Sequence, residues 1–475
     1  MQEYSPYQIQ KFRQSPLGRL IYKTDTADSS LSAYTQALLD SSTSEQLQKS
    51  YKGISRSRKK TPSIYSVSRS ASTPSYNEIT VCWHRINVEG WKPETRQEST
   101  LSHFNESLYL IGGVSRSINK DVNVYRINSK TWQRLDNIGD INEPRFGHSA
   151  VKYEGNIIVF GGGTHYDHKH KLRECLSGVH VFHIDTCFWQ YMKTQGTYLP
   201  ARKYHSACVV GCHMLVYGGM NQKNNMLSDA AVLNLKKKTW KSLEICGKSP
   251  GKLSFHTSAF VTGLEPGTNE SIYKVFTGSG KIACPGVYVF GGLNGEKKAS
   301  NMLYVIQVGK RPLEWTTPTI AGKPPSPRFL HTMIYNSLLK VLIIFGGRVD
   351  LAKTTVYTCF NDVFLLDLQN FQWLHVNVLG EIPIGRSGHT AESTDCRMYI
   401  FGGVTNSCYC SGDIWVLEMD PSTAIAMNEE FMKKKRLDNE INDYKQHAQG
   451  VTITNRAISR SRTRRFSKID FSVNP

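Results

Sequence analysis

The sequence predicts an all-β protein whose strands close into a ring of six four-stranded blades, a β-propeller, and three observations lead there. Six Gly-Gly doublets each end a short apolar run: Gly112 and Gly113, Gly161 and Gly162, Gly218 and Gly219, Gly291 and Gly292, Gly346 and Gly347, Gly402 and Gly403. The first glycines lie 49, 57, 73, 55 and 56 residues apart, the length of a repeated supersecondary unit with variable loops. A spaced tryptophan follows each of the first five doublets, and a sixth, Trp83, precedes them all.

Each unit reads as strands a to d. Strand a follows a basic residue, as in HSAVKY (148–153), and strand b is the apolar run before the doublet. The doublet suits a place where strand ends and a tight bend leave no room for Cβ atoms. Strand c opens on a polar or small residue, as in DVNVYRI (121–127), and strand d carries Trp132, Trp189, Trp240, Trp315 or Trp373. From c opener to tryptophan is eleven residues in four units (Asp121, Gly178, Asp229 and Asp362) and fourteen in the fourth (Asn301). These tryptophans are read as structural plates laid against the neighbouring blade. After the last doublet comes DIWVLEMD (413–420) and then a hydrophilic tail without strand d. The missing strand is TVCWHRINV (80–88), with Trp83, so residues 80–88 are expected to complete blade six and close the ring.

The pattern resembles the kelch-repeat family over residues about 80 to 420. The resemblance implies a six-bladed kelch propeller, and a role as a scaffold in signalling, cell polarity or cytoskeletal organisation, or as a substrate adaptor for ubiquitin ligases. It also implies that loop arginines contact the ligand, as in kelch adaptors that bind acidic peptides. No accompanying BTB-like or F-box-like domain is visible.

The basic residue before strand a is Arg96, Arg145, Arg202, Lys252, Arg328 or Arg386, sixteen residues ahead of the first glycine in four units. The strand order puts these residues in the d–a loops, on one face with the b–c loops. They are expected to ring the channel mouth as a partner-binding set for an acidic or phosphorylated peptide, since guanidinium grips carboxylate and phosphate bidentately. The alternative is that they pair with loop carboxylates and carbonyls and pin blade to blade. His148, His205, His256, His331 and His389 recur just after; each is expected to bond the backbone of a neighbouring blade, because such positions stand too far apart to ligate one ion.

Insertions at 164–177, 349–361 and 405–412 lengthen the b–c loops, and residues 264–286 sit on the opposite face. The first holds His165, His168, His170 and Cys175, types that ligate zinc, but a solvated loop is the simpler reading. No metal, cofactor or catalytic residue is assigned. A kelch-like metal-dependent enzyme is the alternative class, and no nucleophile, base and orienter stand at a meaningful spacing to support it.

The 58 Lys and Arg against 39 Asp and Glu leave +19 over 475 residues, and the tails carry more than half of it. Residues 1–77 are expected to be a disordered, basic, Ser/Thr-rich tail. Residues 421–475 are expected to be a basic tail with a short helix over 428–446. Thr61 and Thr73 precede prolines, and Ser467 lies in an Arg-Arg-x-Ser context, so all three resemble phosphorylation sites. A nuclear protein touching nucleic acid through these tails is the third class, though no RNP motif, finger or helix-turn-helix accompanies the charge. No run of eighteen apolar residues and no secretory-type N-terminus occurs, and the eleven scattered cysteines read as free thiols. The expectation is a non-catalytic, cytoplasmic and also nuclear interaction protein without a membrane span.

Overall fold

The computed structural model describes residues 79–442 apart from 137, 141–142, 168, 170–171, 263–284, 309–311 and 351–355. Six antiparallel sheets surround one axis. Blade one is Thr100–Phe104, Ser107–Ile111, Val122–Arg126 and Thr131–Arg134, from the axis outward. Blades two to five repeat this order, ending on outer strands Phe188–Tyr191, Thr239–Ser242, Glu314–Thr316 and Gln372–Trp373. In blade six, Ile79–Arg85 pairs antiparallel with Ile414–Glu418, as Trp83 opposite Leu417 and His84 opposite Val416. The N-terminal strand therefore closes the last blade.

Composition follows radius. Inner strands such as SAVKY and SACVV are rich in small residues because they crowd at the axis. Second strands such as SLYLI and VLIIF are buried throughout, since a neighbouring blade covers each face. The outer strands show tryptophan inward and polar residues outward.

There is no central core. Apolar side chains fill six wedges, one between each pair of blades. Five tryptophans cross their wedge onto the aromatic residue that precedes the neighbouring doublet. Trp83 meets Phe345 at 4.9 Å between ring centroids, Trp132 meets Phe401 at 5.1 Å, Trp240 meets Phe160 at 5.2 Å and Trp315 meets Tyr217 at 5.0 Å. Trp373 meets Phe290 at 6.0 Å, and Trp189 shares its wedge with Ile111, the aliphatic residue in that place. Aromatic plates of this size make each wedge specific as well as dry.

A helix spans residues 421–442, earlier than the 428–446 expected. Asp420 supplies the start: its carboxylate accepts from the Thr423 N–H at 2.9 Å and from both nearby hydroxyls, and Pro421 follows at the first helical position. The helix docks on blade six through buried Ala424 and through Asn428, which accepts from the Gly380 N–H at 3.2 Å. No described helix is long and apolar enough to cross a membrane. The tail assignments, including Thr61, Thr73 and Ser467, lie outside the described residues, as do His168, His170 and residues 264–284.

Candidate functional site

The residue before each inner strand is set by the main chain. Its carbonyl accepts from the N–H of the second doublet glycine of the preceding blade, as in Gly113 to Arg145 at 2.8 Å and Gly403 to Arg96 at 2.9 Å. In five blades its side chain then turns into its own blade. One guanidinium nitrogen of Arg96, Arg145, Arg202, Arg328 and Arg386 donates to the carbonyl of the first glycine at 3.0 Å. The sixteen-residue spacing is thus a hydrogen bond. In four blades the same guanidinium grips both oxygens of the c-opening aspartate: Arg96 with Asp121, Arg202 with Asp229, Arg328 with Asp362 and Arg386 with Asp413, the nearest contacts being 2.6 to 2.7 Å. Burial alone would raise the Asp413 carboxyl, but Arg386, Ser411 and Trp415 bring it down to about 2.

This corrects the expectation of a cationic mouth. The five arginines are 0 to 2% exposed and their N–H groups are committed to carbonyls and side chains within the ring, so none presents charge to a partner. Arg145, which lacks an aspartate because Gly178 stands there, faces His180 at 3.3 Å instead, and burial lowers it to about 10. Lys252 is corrected differently. It is exposed, and Leu253 occupies the arginine position, accepting from Gly219 at 2.8 Å.

The five histidines bond across blades, to a side-chain hydroxyl in place of the backbone partner expected. Each Nε2 lies 2.8 to 3.0 Å from a side-chain oxygen of the preceding blade: Thr100, Ser149, Ser206, Thr257 and Thr332. Their Cε1 atoms back onto the first doublet glycines, where a Cβ would come within 2.6 to 3.2 Å. Burial, with nearby arginines, lowers His148 and His389 to about 3, burial lowers His256 to about 3, and His205 and His331 fall well below the usual range. All five are neutral wall elements.

Two residues beyond each arginine position lies a ring the repeat pattern did not reveal. Glu98, Gly147, Tyr204, Phe255, Leu330 and Gly388 all have φ between 55° and 66°. Each N–H donates to the carbonyl of the preceding member at 2.7 to 3.2 Å, and Glu98 to Gly388 completes the circle. Tyr, Phe and Leu are strained in this conformation, which the closed circle of bonds enforces. Below it an axial cavity of about 280 Å³ is walled by the histidines and by Ser, Thr and Ala of the inner strands.

The side chains of this ring make the mouth. Tyr204 and Phe255 lie 4.0 Å apart and Phe329 continues the aromatic wall. Glu98 stands between the two glycines, and its carboxylate accepts from the Tyr204 hydroxyl at 2.9 Å. Around it gather Arg348, Lys203 and Arg173. Arg173 lies 5.4 Å over Phe146, Lys203 5.7 Å over Tyr204, and Arg348 5.0 Å over Phe329 and 4.5 Å over Tyr357. Burial raises the Glu98 carboxyl against the pull of Tyr204 and the three cations, and burial lowers Lys203. Arg173 comes from the b–c insertion of blade two and Arg348 from the position directly after the blade-five doublet, on opposite sides of the axis. Three cations therefore face one carboxyl whose burial raises it above the usual carboxylate range.

A family model described as the KLHDC2/KLHL20/DRC7 Kelch-repeats domain matches residues 67–162, 147–265 and 275–435. The chain belongs to the kelch-repeat family. The leucine-zipper-like transcriptional regulator 1 homolog of Drosophila melanogaster is 24% identical over 71% of this chain and 32% of its own length. Human host cell factor 2 is 28% identical over 57% and 32%, and the Arabidopsis thaliana acyl-CoA-binding domain-containing protein 4 is 24% identical over 68% and 44%. This kelch chain thus spans less than half of each of these relatives. The solved structure of YjhT superposes with a TM-score of 0.50 at 14% identity, covering 68% of this chain and 95% of that one, and shares the fold. Among the described residues no three His, Cys, Asp or Glu side chains cluster as metal ligands, and every described cysteine is a free thiol.

Proposed function

We propose that this kelch propeller is a non-catalytic interaction scaffold or adaptor that captures an acidic or phosphorylated segment of a protein partner on its d–a and b–c loop face, in signalling, polarity or ubiquitin-adaptor complexes. The observation that carries the reading is the convergence of Arg173, Lys203 and Arg348 on the channel mouth, the first of them on an insertion added to the repeat. A carboxylate or phosphate entering there meets cations backed by aromatic faces, in a setting of low dielectric where such contacts strengthen. Glu98 sets the sign: protonated, it donates to an incoming anion, and ionised, it competes with it. Free thiols support a cytoplasmic and nuclear setting.

The test is an array of acidic and phosphorylated nonapeptides probed with the full chain. Peptides retained by the wild type should lose at least about tenfold in affinity with Arg173→Ala combined with Arg348→Ala, one to two charge-assisted bonds' worth. Glu98→Gln should hold the affinity constant across the pH range in which wild-type binding weakens as Glu98 ionises. Retention unchanged by the double substitution contradicts the reading.

A further inference from the structure

We propose that the outer edge of blade one is a docking strip on which an extended, acidic, glycine-bearing segment of a partner protein adds as a fifth strand. The site lies on the rim, remote from the channel mouth, and the proposal stands apart from the function assigned to that mouth.

The other five blades supply the template. In each, the loop arriving from the preceding blade lays a residue-Gly pair parallel to strand d. The pairs are Ile138-Gly139, Gln195-Gly196, Cys246-Gly247, Ala321-Gly322 and Leu379-Gly380. The glycine is obligatory: φ is +80° to +102°, and a Cβ would meet the tryptophan carbonyl at 2.2 to 2.7 Å. In blades two, three and six that carbonyl accepts from the residue after the glycine, as in Asp140 to Trp189 at 2.9 Å.

Blade one has the same edge without its cap. It is a four-stranded sheet ending on Thr131–Arg134. The Leu135 N–H bonds Val122, so the register turns the main-chain groups of Trp132 and Arg134 away from the sheet. Among the described residues no main-chain group pairs with them. Gly90 follows Trp83 by seven residues, as each capping glycine follows its own tryptophan, yet it meets nothing within 4 Å, and Trp91 beside it is 47% exposed. An open strand edge is a template for another chain, and natural proteins usually cover it. Lys130 and Arg134 flank Trp132, Arg126 lies exposed on the adjacent strand, and Asp136 lies past the strand's end, so the strip favours an acidic occupant.

The template also supplies the probe: a hexapeptide of sequence DNIGDI, taken from residues 136–141, whose Ile138-Gly139 pair caps blade two, with a photoreactive leucine in place of the isoleucine before the glycine. Blade two already holds this segment intramolecularly, so the added peptide finds blade one. Irradiation with the full-length protein should place crosslinks on residues 130–135. Replacing the peptide's glycine with valine, which leaves the protein untouched, should cut the yield at least about tenfold, and Arg134→Pro, which deletes an outward N–H, should do the same without altering the melting transition. Crosslinks scattered over the surface, or equal yields from the valine peptide, overturn the proposal. So does protection of the Trp91 amide from exchange in the free protein, which would show the chain's own Glu89-Gly90 sealing the edge.

Discussion

Blades three and four solve the same joint with different side chains. In blade three Arg202 is fully buried, bonded to the carbonyls of Pro200 and Gly218 and to both oxygens of Asp229. In blade four the arginine is replaced by Leu253 and the aspartate by Asn301, which turns to the Pro325 carbonyl at 3.0 Å. The main chain hardly notices: Gly219 donates to Leu253 at 2.8 Å as Gly162 donates to Arg202 at 2.9 Å. The backbone lattice of the doublets holds the blades in place, and the ion pair is an addition: blade four lacks both partners, and blade two keeps Arg145 without an aspartate. The double replacement in blade four follows from desolvation, since a buried charge without its partner costs more than a buried leucine, whereas Arg145 of blade two has His180 where the carboxylate would stand.

The comparison can be broken at several levels. The largest effect should come from the lattice itself: a chain beginning at residue 95 lacks Trp83 and the closing strand, and should show no cooperative melting transition by calorimetry. Arg386→Leu alone should destabilise by about 3–5 kcal/mol in urea unfolding, because Asp413 keeps its charge without its partner. Gly346→Ala should cost about 1–3 kcal/mol from its φ of +61° alone, and more from the contact with the Arg386 carbonyl at 2.8 Å. The smallest effect is a slope. The unfolded chain protonates His389 near the ordinary value while the folded ring resists to about 3, so stability falls as pH drops through that interval. His389→Gln should flatten the acid limb by about 1.4 kcal/mol per pH unit.

The doublets, the tryptophans and the closing strand were legible in the sequence because each answers to a position that every blade repeats. The arginines were legible in place, and of the two roles the sequence left open, a cationic mouth or pairing with loop carboxylates and carbonyls, the structure shows the second. Arg202 and Asp229 looked like separate periodic features, and the signal that joins them was their joint loss in blade four, where Leu253 and Asn301 stand together. The capping glycine seven residues after each tryptophan was equally periodic and was missed, because a lone glycine in a loop reads as a turn until the Trp carbonyl above it is seen. Arg173, Lys203 and Arg348 are blade-specific, so repetition carries no information about them; their convergence on Glu98 is a product of the ring's closure.

Each c-opening aspartate depends on its buried arginine: losing the guanidinium alone destabilises the ring, and losing both partners together does not. Urea unfolding of Arg386→Leu with and without Asp413→Asn tests it most directly, since the pair copies blade four. The account predicts that the double variant recovers most of the stability lost by the single one and unfolds in one transition. A double variant no more stable than Arg386→Leu would contradict it.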